Sequence, residues 1–207
     1  TTEHGIAFPR AKGTCYDPGI EAALIVSHPE LASGGRRYDE LVSNVDVLPT
    51  VLDLLDVPLP TPVNGRSFAS LLGSGDYDSR EELFVEMTWH DMYNPIRAIR
   101  TERFKYVRNF WYLPEVYLPR DVFASEAGRE VRESYSVPLR PFDELYDLHE
   151  GPTEVDNVVN EPRYAEKRRE LSARLHEWMV ETDDPLLDGP IPPGDFDAIM
   201  AWPDAAD

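Results

Sequence analysis

The first residues of the chain combine three side chains that could act together on an anionic substrate. Glu3 and His4 are adjacent, and Lys12 follows one short loop later. A carboxylate beside an imidazole offers two ligands to a divalent cation, because hard cations take carboxylate oxygens and several also accept imidazole nitrogen. A lysine nearby would add positive charge where a tetrahedral oxyanion develops negative charge. The pattern predicts hydrolysis of a sulfate or phosphate ester; the alternative is an exposed Glu-His turn and a solvated lysine.

The elements around this group must hold it in place. Thr1 reads as the end of a buried strand that starts before it, so we expect the chain to be part of a longer one. Residues 22–27 are a continuous apolar run after a Pro-Gly turn, which predicts a strand buried on both faces of a parallel or mixed sheet. Apolar residues recur at helical spacing over residues 44–57. Residues 1–80 therefore predict the C-terminal portion of an α/β domain.

The second part of the chain has the pattern of a small antiparallel sheet. Four short runs predict strands, over residues 83–87, 96–100, 104–108 and 144–148. The second and third runs predict a hairpin, and the fourth an edge strand. Residues 111–140 predict a long irregular loop with a short helix near 125–133, and residues 164–180 predict an amphipathic helix. We expect a C-terminal α+β subdomain over residues 81–207, with the sheet covered by this helix and an irregular tail beyond Asp183.

The chain is strongly acidic, with 39 Asp and Glu against 20 Lys and Arg and a formal net charge of −19. Only Lys12, Lys105 and Lys167 are lysines. Such a surface is typical of proteins that stay soluble in concentrated salt, where self-repulsion is screened; an ordinary acidic cytosolic protein is the alternative. Nucleic acid is not an expected partner, because a phosphate backbone needs a basic face.

Two further features bear on compartment. No apolar run approaches the roughly 20 residues that a membrane span needs, so we expect no span. Cys15 is the only cysteine, which excludes an internal disulfide and leaves the redox compartment open. We expect Cys15 to be a small buried apolar residue rather than a reactive thiol.

The order of the motifs resembles the C-terminal half of a sulfatase, in the alkaline-phosphatase superfamily, and most of all the N-sulfoglucosamine sulfohydrolase (heparan sulfamidase) branch and its microbial relatives. The motifs that carry the resemblance are Thr2-Glu3-His4-Gly5-Ile6-Ala7-Phe8-Pro9, Lys12-Gly13-Thr14-Cys15-Tyr16-Asp17-Pro18-Gly19, and residues 45–53, 64–67, 97–106, 144–148, 151–154 and 157. The resemblance spans almost the whole chain, up to about Asp184. It implies an α/β fold with a small antiparallel sheet and a C-terminal helix.

The same resemblance implies a chemistry. It places Glu3 and His4 as ligands of a divalent metal, usually Ca²⁺, with Mg²⁺ or Mn²⁺ as alternatives, and Lys12 as the catalytic contact to sulfate. Glu stands where the family usually has Asp, which adds one methylene to the ligand. The family nucleophile is a formylglycine made within a Cys/Ser-x-Pro/Ala-Ser-Arg motif, and no such motif occurs here. We therefore expect the nucleophile to come from a missing N-terminal half, and the chain alone to be inactive.

Candidate substrate-binding residues lie in the second part. Glu86, Trp89 and His90 stand where this branch has a wall around the sugar, so a sulfated small molecule or glycan is the expected partner. Packing between domains is the alternative. A cluster of basic residues could attract anionic glycans, although alternating strand positions more often pair with local carboxylates; its members are Arg97, Arg100, Arg103, Lys105 and Arg108.

Two other functions remain open. A phosphodiesterase or phosphonate hydrolase of the same superfamily shares the metal pair, and the residues of the nucleophile would distinguish it from a sulfatase. A non-catalytic module derived from a sulfatase would lack metal binding. Substrate, oligomeric state and compartment are not specified by the sequence.

Overall fold

A four-stranded antiparallel sheet organises the second part of the molecule. The computed structural model describes residues 1–28, 31, 35–73, 77–136 and 138–191. The strands are β1 (Glu82–Trp89), β2 (Tyr93–Thr101), β3 (Phe104–Asn109) and β4 (Asp143–Asp147), and they lie in the order β1-β2-β3-β4. All four predicted strands are confirmed, including the hairpin and the edge position of the last one. The predicted tail falls partly on residues 192–207, which lie outside the described residues.

Each face of the sheet has its own core, because side chains alternate along a strand. Ile99, Tyr106 and Leu145 point to one face and belong to one buried cluster. The residues preceding or following them, Ala98, Val107 and Tyr146, belong to a second cluster. The sheet is therefore covered on both sides, although only one side carries a long helix.

The long helix α6 (Ala165–Glu181) covers the first face. A 3₁₀ turn at Pro162–Tyr164 opens it, with proline at its first position, where the missing N–H is not needed. Leu171 and Leu175 are each 2% exposed and pack on the first cluster, as the apolar spacing predicted. Trp178 stacks on Phe84 of β1 at 4.8 Å between ring centroids.

The N-terminal loop covers the second face. Cys15 and Tyr16 insert their side chains into the second cluster, beside Ile96 and Tyr146. Cys15 is 3% exposed, so its predicted burial is confirmed, and this burial raises the pKa of the thiol to about 12. The short helix α1 (Asp17–Ile20) follows directly. Packing on the sheet thus fixes the chain that leads away from Lys12.

The helices before the sheet lie where the sequence predicts them, but the apolar side of the longest one is exposed to solvent. A 3₁₀ turn at Asn44–Asp46 leads into α2 (Val47–Leu54), and α3 spans Ala69–Leu72. The buried side of α2 carries Asp46 and Thr50, whereas its apolar stripe faces outward; Val45, Leu48, Val51 and Leu55 are 46–66% exposed. The buried carboxylate of Asp46 accepts the backbone N–H groups of Ser43 and Arg66 and pairs with Arg80.

Three predictions are wrong. Thr1 does not end a buried strand, because it is exposed and lies in no strand. Residues 22–27 form no strand and most of them are exposed, with Ile25 at 87%, because no neighbouring strand lies beside them in the described part of the chain. Residues 111–140 contain two helices rather than one short one, α4 (Arg120–Ala124) and α5 (Glu126–Ser136). No helix in the described residues is long and apolar enough to cross a membrane.

Candidate functional site

Glu3, His4 and Lys12 lie on two neighbouring loops that are tied by backbone hydrogen bonds. The Lys12 N–H donates to the carbonyl of Ile6 at 3.2 Å, so the lysine loop folds back on the segment after His4. The Gly5 N–H donates to the carbonyl of Gly19 at 2.9 Å. A Cβ on Gly5 would stand 2.0 Å from the carbonyl oxygen of Pro18, so only glycine permits this approach. The fold therefore brings the three predicted residues into one region.

The ring of His4 is oriented by one contact to the backbone. Its Nδ1 lies 2.7 Å from the carbonyl oxygen of Gly5, which can only accept, so Nδ1 carries the proton. The lone pair of Nε2 is then available to a cation, which is how ligand histidines are usually oriented. Glu3 is exposed and His4 is half-buried. This donor pair fits a divalent cation, but the described residues contain no group of three or more His, Cys, Asp or Glu that could hold one, so further ligands would have to come from elsewhere.

Lys12 turns away from Glu3 toward helix α4. Its Nζ donates to Asp121 Oδ2 at 2.7 Å, and this bond lowers the pKa of Asp121. Glu3 instead lines an open groove of about 620 Å³ along α2. Gly13 has φ of +76° and lies against Pro119, which packs the start of α4 on the lysine loop. The three residues share a region but have different side-chain neighbours, and their roles remain predictions.

Trp89 belongs to a partly exposed aromatic group whose central ring is Tyr93. A register shift between Met87 and Trp89 marks a bulge in the β1–β2 pairing, and bulges re-aim side chains. Trp89 is 47% exposed and lies 5.0 Å from the ring of Tyr93, which lies 5.3 Å from Trp111. Among the other substrate candidates, Glu86 is exposed, with its Oε2 3.6 Å from Arg97 Nε.

The segment before α4 connects the substrate candidates to Lys12. His90 Nδ1 lies 3.4 Å from Asp91 Oδ1, and the other carboxylate oxygen of Asp91 accepts the backbone N–H of Arg120. That hydrogen bond lowers the pKa of Asp91. Asp121, the partner of Lys12, is the next residue. Lys12 and His90 are thus joined through a few consecutive contacts.

The basic cluster is fully paired with carboxylates, so the structural interpretation of those residues is confirmed. The pairs, with the distances between nitrogen and oxygen, are Arg97 with Asp184 (3.1 Å), Arg100 with Asp17 (3.1 Å), Arg103 with Asp147 (2.7 Å), Lys105 with Glu154 (2.7 Å) and Arg108 with Asp143 (2.7 Å). Lys105 also pairs with Asp17. These charges hold the sheet and its neighbours together.

Comparison with known proteins identifies the family. Residues 3–126 match the model of the N-sulphoglucosamine sulphohydrolase C-terminal family. The chain belongs to this family. This match confirms the predicted resemblance to the C-terminal domain of sulfatases in the alkaline-phosphatase superfamily.

Individual relatives agree with this assignment. The chain is 29% identical over 199 residues to an ulvan-active sulfatase of Formosa agariphila, covering 88% of this chain and 32% of that protein. It is 28% identical over 213 residues to human N-sulphoglucosamine sulphohydrolase, covering 92% and 42%. It therefore spans about a third of the length of the first relative and about two fifths of the second. A crystal structure of a putative sulfatase from Bacteroides thetaiotaomicron shares the fold, with a TM-score of 0.63 at 23% identity over 86% of this chain and 33% of that one.

One cluster of this sulfatase domain was missed by the sequence. Lys105 and Glu154 are both fully buried, and Asp17 completes the group by donating its backbone N–H to Glu154 Oε2. Burial raises the pKa of Glu154, with Lys105 opposing that rise. The sequence placed Lys105 only among alternating basic strand positions, and its partner Asp17, at the start of α1, lies 88 residues earlier in the chain. The positive φ of Glu154, 52°, is equally invisible in a sequence.

Proposed function

We propose that this domain is part of an enzyme that hydrolyses the sulfate ester or sulfamate of a sugar with the help of a divalent metal. The observation that carries the proposal is the family match, which covers Glu3, His4, Lys12 and the segment around Trp89. The named relatives are sulfatases, and two of them are described as acting on ulvan or N-sulphoglucosamine.

Glu3 and His4 would provide part of the metal site. The tautomer of His4 supports this role, because Nδ1 is occupied by the Gly5 carbonyl and Nε2 is left as a donor of electrons. A bound Ca²⁺ would polarise the oxygens of the sulfuryl group as a Lewis acid. A carboxylate and one imidazole do not satisfy the six to eight oxygen ligands of Ca²⁺, so the proposal includes further carboxylates outside these two residues.

Lys12 would contribute electrostatic stabilisation. Hydrolysis breaks the S–O bond of an ester or the S–N bond of a sulfamate and releases inorganic sulfate, so negative charge is concentrated on the sulfuryl oxygens. A fixed ammonium beside those oxygens lowers the energy of the transition state without transferring a proton. A local cation is needed because the chain as a whole carries a formal charge of −19, which repels an anion. The ion pair with Asp121 would hold the lysine in place.

The sugar would contact the region around Trp89. The ring is exposed, supported from one side by Tyr93 and flanked by the polar groups of Glu86 and His90. A pyranose offers C–H groups to an aromatic face and hydroxyls to a carboxylate or imidazole. This combination supports a substrate wall more than a dry packing surface, in which we would expect Trp89 to be covered.

The exposed apolar stripe of α2 supports a further part of the proposal, that the N-terminal portion of a sulfatase packs here. Leu48 and Val51 line the open groove together with Thr2 and Glu3, so a covering segment would also close the site next to Glu3. The same portion would supply the formylglycine, since the required motif does not occur in this sequence. We propose that the 207 residues alone are inactive.

The test is sulfate release by the full-length protein, produced with formylglycine maturation. The substrates are 4-nitrophenyl sulfate and N-sulfated glucosamine, with bis-nitrophenyl phosphate as the phosphodiester control. We expect sulfate release that chelation of the metal abolishes and Ca²⁺ restores. The 207-residue chain assayed in parallel should give none. Hydrolysis of the phosphodiester alone would favour the phosphodiesterase, and no metal binding together with no turnover would favour a non-catalytic module.

A further inference from the structure

A small cavity lies between the sheet and the loop that follows Lys12. It is lined by residues 13–16 of that loop, by β2 and β3, and by residues 115–117 and 140. About 10 Å³ of it is wide enough to hold the centre of a water molecule. That volume corresponds to a single water position.

Three side chains on this cavity, those of Asn94, Arg140 and Tyr117, have buried polar atoms that find no partner in the described part of the chain; for Tyr117 the atom is the hydroxyl oxygen. Asn94 is fully buried, and neither its Nδ2 nor its Oδ1 makes a hydrogen bond. Arg140 is 9% exposed, and its Nε is also without a partner. Buried polar atoms in folded proteins are almost always hydrogen-bonded, to protein or to ordered water. Four unpartnered atoms around one cavity therefore indicate that a hydrogen-bonding partner belongs there.

The charges on the cavity decide what kind of molecule that partner is. One guanidinium, of Arg140, and two carboxylates, of Glu115 and Glu144, belong to its lining. The carboxylates disfavour an anion, and the guanidinium disfavours a cation. The carboxylate of Glu144 is already used, since it accepts the hydroxyls of Tyr16 at 2.8 Å and of Tyr146 at 2.6 Å. The cavity therefore fits a small neutral molecule that can both donate and accept hydrogen bonds.

We propose that one internal water molecule occupies this cavity and bridges the Asn94 amide to Arg140 Nε. Water accepts a hydrogen bond from the guanidinium N–H and donates one to the amide oxygen, which no monatomic ion can do. Because the other wall of the cavity is Gly13–Tyr16, the bridge would stiffen the loop that carries Lys12 against the sheet. The inference is independent of the proposed function, since it rests on burial and hydrogen bonding alone.

A crystal structure of the full-length protein, at a resolution that shows ordered water, tests the proposal directly. We expect a density peak within hydrogen-bonding distance of both the Asn94 amide and Arg140 Nε. An empty cavity would overturn the proposal, as would a rearrangement in which Asn94 bonds Arg140 directly.

The variant Asn94→Leu supplies a second test, because leucine has the shape of asparagine but no polar atoms. If the water is present, the variant expels it and leaves Arg140 Nε buried without a hydrogen-bond partner. The Tm should then fall by on the order of 3 °C. Amide hydrogen exchange at Gly13–Tyr16 should also become faster. If there is no water, the variant only removes two unpaired atoms, and an unchanged or higher Tm would contradict the bridge. Asn160→Leu, at an exposed asparagine, is the matched control.

Discussion

The ammonium of Lys105 lies 2.7 Å from Glu154 Oε1, and both side chains are fully buried. The pair joins β3 to the turn after β4, and its contact with Asp17 ties in the N-terminal loop. Removing one partner of a buried ion pair is far more costly than replacing the whole pair, because a charge is left without compensation. We expect Lys105→Met to lower the free energy of unfolding by about 3–5 kcal/mol in urea titrations.

Lys167 offers the control for that experiment. It forms a surface pair with Glu170 at 2.6 Å, and exposed pairs contribute little. Lys167→Met should therefore change the free energy of unfolding by less than about 1 kcal/mol. Adding Glu154→Gln to Lys105→Met should restore part of the loss. Equal losses for Lys105→Met and Lys167→Met would show that the buried pair has no special role.

Asp147 should make the free energy of unfolding depend on pH in the acidic range. The Arg103 guanidinium, with help from the Tyr164 hydroxyl, lowers the pKa of Asp147 from 3.8 to about 2. A carboxyl whose pKa is lower in the folded state stabilises the fold above its unfolded pKa, and this contribution is lost as the pH falls through the folded value. The difference in unfolding free energy between the wild type and Asp147→Asn should be largest above about pH 4 and should shrink between pH 3.8 and 2. Asp156→Asn, at an exposed site, should show no such trend.

The sequence specified the sheet better than the parts around it. The strands and α6 were predictable because alternation and helical spacing are local signals, and the segments that satisfy them are present in the chain. Residues 22–27 have the composition of a buried strand, but strand formation needs a neighbour that the described residues do not provide. The same reason leaves the stripe of α2 exposed.

Motif order suggested the candidate site residues, whose roles stay predictions, but it could not give their geometry. The motif order pointed to Glu3, His4 and Lys12, whereas the orientation of Lys12 toward Asp121 depends on a residue 109 positions later. No local rule connects such distant positions. The buried roles of Lys105 and Asn94 were missed for the same reason, since their partners are set by tertiary packing.

Lys12→Met should impair catalysis in the full-length protein without unfolding it. Loss of one charge that stabilises an oxyanion typically lowers kcat by 10²–10³-fold, and we expect a loss on the order of 10² for sulfate release. Asp121→Asn removes the partner and keeps the lysine, so kcat should stay within a few-fold of wild type. If Lys12→Met kept near-normal kcat, the proposed electrostatic role would be wrong.

Calcium binding tests the two proposed ligands separately from turnover. In calorimetric titrations of the full-length protein, His4→Ala should weaken Ca²⁺ binding at least about 100-fold, since even residues that only orient a ligand contribute 10–100-fold. Glu3→Gln should act similarly, because the amide loses the charge of the carboxylate. His149→Ala, at an exposed histidine, is the control. Undiminished affinity in His4→Ala would remove this residue from the metal site.

Replacing Trp89 should raise KM for a sulfated sugar and leave KM for a simple aryl sulfate unchanged. The exposed ring offers a face to a pyranose, and loss of about 1.4 kcal/mol of binding would raise KM about tenfold. We expect Trp89→Ala to raise KM for N-sulfated glucosamine to this extent, with kcat little changed, because contacts remote from the reacting atoms are made equally before and during the reaction. KM for 4-nitrophenyl sulfate should not change, and Trp89→Phe should recover most of the affinity for the sugar. An equal rise in KM for both substrates would mean that Trp89 supports the fold of the site rather than the sugar.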